Sequence, residues 1–537
     1  MQTGNSPSRA HRLVVTMLTT GVATLLAFAI NFLLTPYITE RLGVEAYGFI
    51  TLANTFVSYA MIAMTALNSF STRFIAVEYQ RGDKKAASTY FTSLFFANAA
   101  VSLVIFLCML PVIANIDGVL DVPARLVSDV QYLFVLVFVN FLVTNGSNSF
   151  SSAAYTKNRL DIYGLFQVAS YVVEAAILVA LYAVFDAHAY FYGLGLLAAG
   201  LVLFAGNMCI YRRLTPDIKL RPSLFSLGAM KTLFVNGIWN SINNLGNVLI
   251  SGIDLLLANV LLSAVAMGQL SLSRTFSSVF SRLYQLVSQA FQPLFLESYS
   301  SDNREALLSR LKLSSKMSGY FASLFFAGFF ALGIPFFELW IPGQDISLVY
   351  SLTMIGIVGS FFEGLVNPLY YIYTLTLKNK VPTAITVIGG VVSVIGTVVL
   401  LEFTDLGVYG CAITTTAVTS LIAIVTNPLY MTHVLGISHM TFYPTFARSF
   451  LACVLMSFAF SAVSCLAVPV NWASFILCVL LCGVLSAPIY ILAALNRNER
   501  CSVALMLRKK YGSVRPELTF CLNHLFEIAK LSTPCRV

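Results

Sequence analysis

Charge is what this 537-residue sequence has least of: 10% of its residues are Asp, Glu, Lys or Arg, against 58% hydrophobic, and its mean hydropathy is +0.82. A water-soluble domain covers itself with roughly 25% charged residues, so that class is excluded. Strand-type alternation of apolar and polar residues is missing as well. Helices are then left as the way to satisfy backbone hydrogen bonds in lipid. Histidine is scarce, five in all, and each falls in a loop, a tail or at the edge of an apolar stretch. No Gly-rich phosphate loop or nucleophile motif accompanies them, which argues against an enzyme. Of the ten cysteines, seven fall inside apolar stretches and Cys501, Cys521 and Cys535 lie in the C-terminal tail. With none in an external loop, no disulfide framework is expected. Cys478 and Cys482 sit one turn apart without a His or carboxylate beside them, a spacing read as helix packing; no metal site or other cofactor is expected.

What the sequence does have is apolar runs of the roughly 20 residues needed to cross a bilayer. They fall near 13–37, 47–69, 88–112, 127–149, 162–185, 190–210, 231–262, 265–295, 316–340, 348–374, 383–402, 408–430, 447–469 and 473–495. The expectation is an all-α polytopic membrane protein of about fourteen transmembrane helices. The first run is too long for a signal h-region and lacks a small-residue cleavage site, so it is read as a retained helix. Of the 32 Lys and Arg, all but Arg41, Arg125, Arg274 and Arg282 fall in the tails and in the loops on one side. That bias puts both termini in the cytoplasm. It also accounts for the net charge of +9, so no nucleic-acid partner is inferred.

The longest charged interruption, Tyr211 to Lys231, separates six runs from the following six. "YGFITLANTFVS" (Tyr47 to Ser58) aligns with "MGQLSLSRTFSS" (Met267 to Ser278) at an offset of 220 residues, with Gly, Leu, Thr, Phe and Ser matched. A six-helix repeat of like orientation gives two lobes related by an axis along the membrane normal. The expected organisation is a cytoplasmic N-terminus (1–12), an N-lobe (13–210), a linker (211–231), a C-lobe (232–430), two C-terminal helices (447–495) and a basic tail (496–537). In the tail, Arg508, Lys509 and Lys510 suit anionic lipid or a protein partner.

Within the apolar runs, polar residues recur at helical spacing. Asn236, Asn240, Asn243 and Asn247 fall at i, i+4, i+7 and i+11, and Ser251 and Asp254 continue the line. The eighth run carries Arg274, Ser278, Ser281, Gln285, Ser288 and Gln292, with Arg282 two turns from Arg274. Asn31 in the first run and Asn54 in the second belong to milder stripes. Such stripes can glue helices together. Continuous amides with charges across most of the bilayer are better served by a hydrated central cavity. Asp254 and Arg274 each lie about ten residues from an external turn near Ala264, so both sit about 15 Å deep and can face each other. The pair reads as a structural clasp or as a gate. Arg282 has no nearby carboxylate and reads as a site for an anionic ligand. Glu174 and Glu363 are also intramembrane, either to carry a coupling proton or to pair with an arginine.

The segment "NFLLTPYITERLGVEAYGFITLANTF" (Asn31 to Phe56) resembles the first hairpin of polysaccharide-repeat flippases in the multidrug/oligosaccharidyl-lipid/polysaccharide (MOP) exporter superfamily. In that family a Pro ends the first helix and an Arg-x-x-Gly…Tyr-Gly pattern opens the second; the matching residues here are Pro36, Arg41, Leu42, Gly43, Tyr47 and Gly48. The seventh helix with Asp254 and the Gly268 start of the eighth are similar as well. The resemblance implies two six-helix lobes around a central cavity, alternating access, and export of an undecaprenyl-pyrophosphate-linked oligosaccharide (an O-antigen, capsule or exopolysaccharide repeat unit) across the bacterial inner membrane. It implies a glycan polymerase and glycosyltransferases as partners besides membrane lipids. In related lipid II flippases, cavity arginines hold the pyrophosphate, and Arg274 occupies a matching position in the eighth helix. The arginines of their first two helices are missing here.

Two readings compete with flippase. One is a multidrug exporter of the MATE type, coupled to Na+ or H+ through Asp254 and Glu363; the other is a lipid II flippase. A non-transporting scaffold would need the stripes only for stability. A glycan polymerase is disfavoured because the longest external loop, Ile113 to Leu126, is short.

Overall fold

The computed structural model describes residues 9–496 and 499–500, with side chains from residue 19 onward except residue 20. The basic tail with Arg508, Lys509 and Lys510 lies outside the described residues, as do residues 1–8 of the N-terminus. Among the described residues no strand occurs. Fourteen long helices follow one another: α1 (Arg9–Arg41), α2 (Val44–Asn68), α3 (Lys84–Ala114), α4 (Val127–Thr156), α5 (Leu160–Val184), α6 (Tyr190–Leu214), α7 (Leu227–Ser251, resuming at Ile253–Leu261), α8 (Ala264–Ser300), α9 (Arg304–Trp340), α10 (Ile346–Val366), α11 (Lys380–Phe403), α12 (Val408–Leu421, resuming at Asn427–Leu435), α13 (Tyr443–Leu466) and α14 (Trp472–Ala494). Thirteen helical segments are long and apolar enough to cross a membrane. The long helix outside that set is α8, whose Arg274, Arg282, Ser and Gln positions lower its hydropathy although it has 37 residues. The protein is a multi-pass, all-α membrane protein.

The 220-residue offset reappears in the helix boundaries. Adding 220 to the first residues of α2 to α6 gives 264, 304, 347, 380 and 410, and α8 to α12 begin at Ala264, Arg304, Ile346, Lys380 and Val408. The ends Arg41 and Leu261 of α1 and α7 differ by 220 as well. Repeat-related glycines also touch: a Cβ on Gly48 would lie 2.9 Å from the Cα of Gly268, and one on Gly268 would run into the Val44 carbonyl. Close backbone approach of this kind is how small residues let membrane helices associate through van der Waals contact. Tyr47 Oη and Thr275 Oγ1, 2.9 Å apart, hold the same crossing.

Contacts divide the chain into two compact units. One comprises Met1–Thr275, Trp340–Gly356 and Asn379–Ile422, the other Phe276–Leu339, Ile357–Lys378 and Ala423–Val537, so α8, α10 and α12 each contribute to both, and α9 gives its last residue, Trp340, to the first. In the first unit, Ile75, Phe91, Leu94, Phe150, Ile218 and Leu233 pack as one apolar cluster. In the second, α9, α13 and α14 bring together Leu332, Met456, Phe460, Cys478, Cys482 and Tyr490. Both cysteines are therefore packing residues, and no group of metal-ligating side chains occurs among the described residues. Large apolar side chains such as Leu25, Val179, Ile388, Leu466 and Val484 stay exposed. Such a surface is what lipid covers.

Candidate functional site

The first unit contains a charged centre built where α7 is interrupted. Helix α7 stops at Ser251 and resumes at Ile253. Around that break three consecutive carbonyls accept from side chains. Ile250 O accepts from Thr415 Oγ1 (3.3 Å), Ser251 O from Arg274 Nη1 (2.6 Å) and Gly252 O from Tyr59 Oη (3.0 Å). An interrupted helix survives in a membrane when neighbouring helices satisfy its carbonyls in this way. Asp254, in the first turn after the break, is buried to 3% exposure. Its Oδ2 pairs with the Arg274 guanidinium and accepts from Thr415 Oγ1 at 2.9 Å. Its Oδ1 is buried and makes no hydrogen bond. Arg274 keeps 21% of its side chain exposed.

The amide stripe of α7 lies on a different face from the one used for packing. Ser241 donates to the Ile62 carbonyl, Asn244 Nδ2 to Thr65 Oγ1 (3.3 Å), and Gly237 lies against the backbone of Ala66. By contrast Asn236, Asn240 and Asn247 are exposed and Asn243 is half-buried. Among the described residues the Asn236 amide bonds only the Thr232 carbonyl of its own helix, at 2.7 Å. No side-chain hydrogen bond holds Asn240, Asn243 or Asn247 among the described residues. In α1, Asn31 is exposed, with its Nδ2 on the Ala27 carbonyl (2.9 Å). In α2, Asn54 bonds the Ile50 carbonyl (3.0 Å) and reaches Tyr192 Oη (3.5 Å).

The second unit has its own polar cluster around Glu363. Ser281 Oγ donates to Glu363 Oε2 at 3.3 Å, and the Asn367 side chain is within hydrogen-bonding reach of the same carboxylate. Ser288 Oγ donates to Asn367 Oδ1 at 2.6 Å. Tyr373 Oη donates to Asn427 Oδ1 at 3.1 Å, and Asn427 Nδ2 reaches Tyr370 Oη at 3.4 Å. On the same part of α8, Arg282 and Gln285 are exposed, and neither has a hydrogen bond or ion pair among the described residues.

Of the three intramembrane acids, Asp254 alone has an arginine among the described residues. Pairing with an arginine is one expectation for Glu174 and Glu363, and among the described residues neither has one. Glu363 is held by neutral donors, whereas Glu174 is 5% exposed, has no hydrogen bond among the described residues and has Tyr192 as an electrostatic neighbour. Sequence reasoning missed Thr415, Tyr59, Asn367 and Asn427. Two signals were present: a run of three threonines at 414–416, and Asn427 standing 220 residues after Asn207, which bonds Ser147 Oγ at 2.7 Å.

Residues 14–298, more than half the chain and including all of α2 to α7, match the family described as "Polysaccharide biosynthesis protein". The chain belongs to that family. A relative in this size range is the uncharacterized membrane protein EpsK of Bacillus subtilis (strain 168), 28% identical over 494 residues that cover 92% of this chain and 97% of EpsK. Among solved structures, the lipid II flippase MurJ in an inward closed conformation aligns with a TM-score of 0.64 at 14% identity, over 92% of this chain and 99% of MurJ. An inward-facing multidrug resistance MATE family transporter of the MOP superfamily aligns at 0.63 and 14%, over 79% and 98%. These two show that this family member has the MOP-type fold. The family match covers Asp254, Arg274 and Arg282.

Proposed function

We propose that the protein is a flippase that exports an undecaprenyl-pyrophosphate-linked oligosaccharide across the bacterial inner membrane by alternating access, with both termini cytoplasmic. The observation that carries this reading is Arg282, a guanidinium within a spanning helix that has no partner among the described residues. Arg282 lies two turns, about 12 Å, beyond Arg274 toward the cytoplasmic side of α8, where a guanidinium is held in place only by water or by a ligand. Leaving its side chain open is better explained by an anionic ligand than by packing. A planar guanidinium suits the paired oxygens of a pyrophosphate. The amides of Asn236, Asn240, Asn243 and Asn247 face away from the packing side of α7 and offer donors and acceptors to sugar hydroxyls. Asn31, Asn54 and Gln285 add amides on α1, α2 and α8. The family assignment to polysaccharide biosynthesis and the MurJ-like fold support the same substrate class. A polymerase and glycosyltransferases are the expected functional partners.

The test is mass spectrometry of lipid-linked saccharides in a deletion strain. Accumulated undecaprenyl-pyrophosphate oligosaccharide, relieved by the wild-type gene and not by an Arg274→Ala/Arg282→Ala variant, is the expected result. No accumulation while the glycan genes are expressed would overturn it.

Glu363 favours one second reading, a cation-coupled drug exporter, because its shell of neutral donors leaves the carboxylate free for a cationic substrate or ion. That reading expects Glu363→Gln to abolish drug resistance and to leave surface polymer intact.

A further inference from the structure

We propose that the second repeat carries a paired hinge, in which the ends of α10 and α12 bend together about Asn367–Pro368 and Asn427–Pro428. The sequence NPLY occurs twice, at 367–370 and at 427–430. Each copy stands at a fault in its helix. Beyond Val366, α10 continues as a 3-10 turn, Asn367–Tyr370, and one last α-turn, Tyr371–Leu375; in α12 a π-helical turn, Ile422–Thr426, leads straight into Asn427–Pro428. Proline makes such faults because it has no N–H for the carbonyl four residues back and its ring crowds that carbonyl. Short 3-10 and π stretches inside long helices are frequent at hinges and functional sites. The first repeat supplies the control. The positions 220 residues earlier are Ser147–Asn148 and Asn207–Met208, without proline. There α4 (Val127–Thr156) and α6 (Tyr190–Leu214) run uninterrupted, joined by the Asn207 amide on Ser147 Oγ at 2.7 Å. The two faults therefore belong to the second repeat and are not a demand of the shared helix arrangement.

The two faults are tied to each other. Tyr373 Oη donates to the backbone and side-chain oxygens of Asn427, both at 3.1 Å, and Asn427 Nδ2 reaches Tyr370 Oη at 3.4 Å. The Tyr373 ring lies 6.4 Å from that of Tyr370 and 5.8 Å from that of Tyr430. Neighbouring helices serve the carbonyls that the faults release. Leu365 O accepts from Ser315 Oγ of α9 at 2.7 Å, and Ile424 O, which the Pro428 nitrogen cannot serve, accepts from Tyr443 Oη of α13 at 2.9 Å. Donors of this kind let a faulted helix persist in lipid, and the fault is where it bends. Beyond the faults both ends are short and separately closed by a left-handed residue, Leu377 (φ 56°) and Gly436 (φ 60°). Break, cross-link and closure make the two ends one movable block, cytoplasmic on the topology proposed above. Such a block lets the end of the second repeat move while its spans stay rigid, a freedom that the continuous α4 and α6 do not offer.

The experiment is amide hydrogen exchange, read by mass spectrometry on the purified full chain, comparing segments 369–377 and 429–435 with their repeat counterparts 149–157 and 209–215. Both second-repeat segments are expected to exchange at a common rate, about fivefold or more above their counterparts, the effect of one missing backbone hydrogen bond. Pro428→Ala restores an N–H with a residue that suits a helix, so the variant should fold, and it is expected to slow exchange in both segments. Tyr373→Phe removes the cross-link and keeps the ring; the two segments should then exchange at different rates. Wild-type rates no faster than those of the counterparts overturn the hinge. Slowing confined to 429–435 in Pro428→Ala, or equal rates in Tyr373→Phe, overturns the pairing. In cells, Pro428→Ala should lose surface polymer at normal levels of folded protein, and normal polymer alongside slowed exchange overturns the hinge's part in transport. The exchange measurements use no ligand. If the wild-type chain exports no polymer the flippase reading fails, and exchange still decides the hinge.

Discussion

Two arginines eight residues apart on α8 have opposite surroundings. Arg274 is pinned between Asp254 and the Ser251 carbonyl, at a break in α7 whose other carbonyls are held by Thr415 and Tyr59. Arg282 is exposed and carries no partner among the described residues. The difference separates two jobs that composition alone would merge. A paired intramembrane charge is first a structural liability, since removing one member strands the other, while an open one contributes little to folding and is available to a ligand. The acids divide along the same line, with Asp254 paired, Glu363 shelled by neutral donors and Glu174 buried without a donor among the described residues.

The comparison is broken most severely at Asp254. Asp254→Ala strands Arg274 and is expected to cost about 3–5 kcal/mol, the usual range for a broken buried pair. It would be seen as a large loss of folded protein by fluorescence-detected size exclusion. Adding Arg274→Ala should restore much of that yield, and the double-mutant cycle gives the coupling directly. Next comes Arg282→Ala, for which surface polymer should fall by about tenfold or more while stability shifts by less than about 0.5 kcal/mol, as for other substitutions away from packed contacts. Thr415→Val removes one hydroxyl from Asp254 and should cost about 1 kcal/mol, measured as a lower thermal midpoint with Arg282 function intact. The smallest effect is expected at the exposed pair Lys84–Asp217, where the lysine holds the carboxylate below its ordinary range. A carboxylate lowered in the folded state stabilises above its unfolded pKa and loses that effect as pH falls, so Lys84→Ala should alter the thermal midpoint only marginally and only above the acid range.

Much of this was legible in the sequence because it depends on period and distance along one chain. Apolar length located the helices, the 220-residue offset anticipated where the second set begins, and equal spacing from the Ala264 turn put Asp254 opposite Arg274. Residues that complete the site were not legible, because they come from far away with ordinary side chains. Thr415 meets Asp254 across 161 residues, and Tyr59 meets Gly252 across 193. A single glycine inside an apolar run gave no warning that α7 breaks there. Hydropathy was least informative for α8, because the same stripe that marks the candidate site lowers the signal for a spanning helix.

The most direct measurement is surface polymer per folded protein in cells carrying Arg282→Ala, with lipid-linked saccharide quantified in the same membranes. The flippase reading predicts normal protein, depleted surface polymer and accumulated lipid-linked oligosaccharide. Normal polymer with no accumulation at wild-type protein levels would contradict it and make the unpartnered arginine a passenger of the fold.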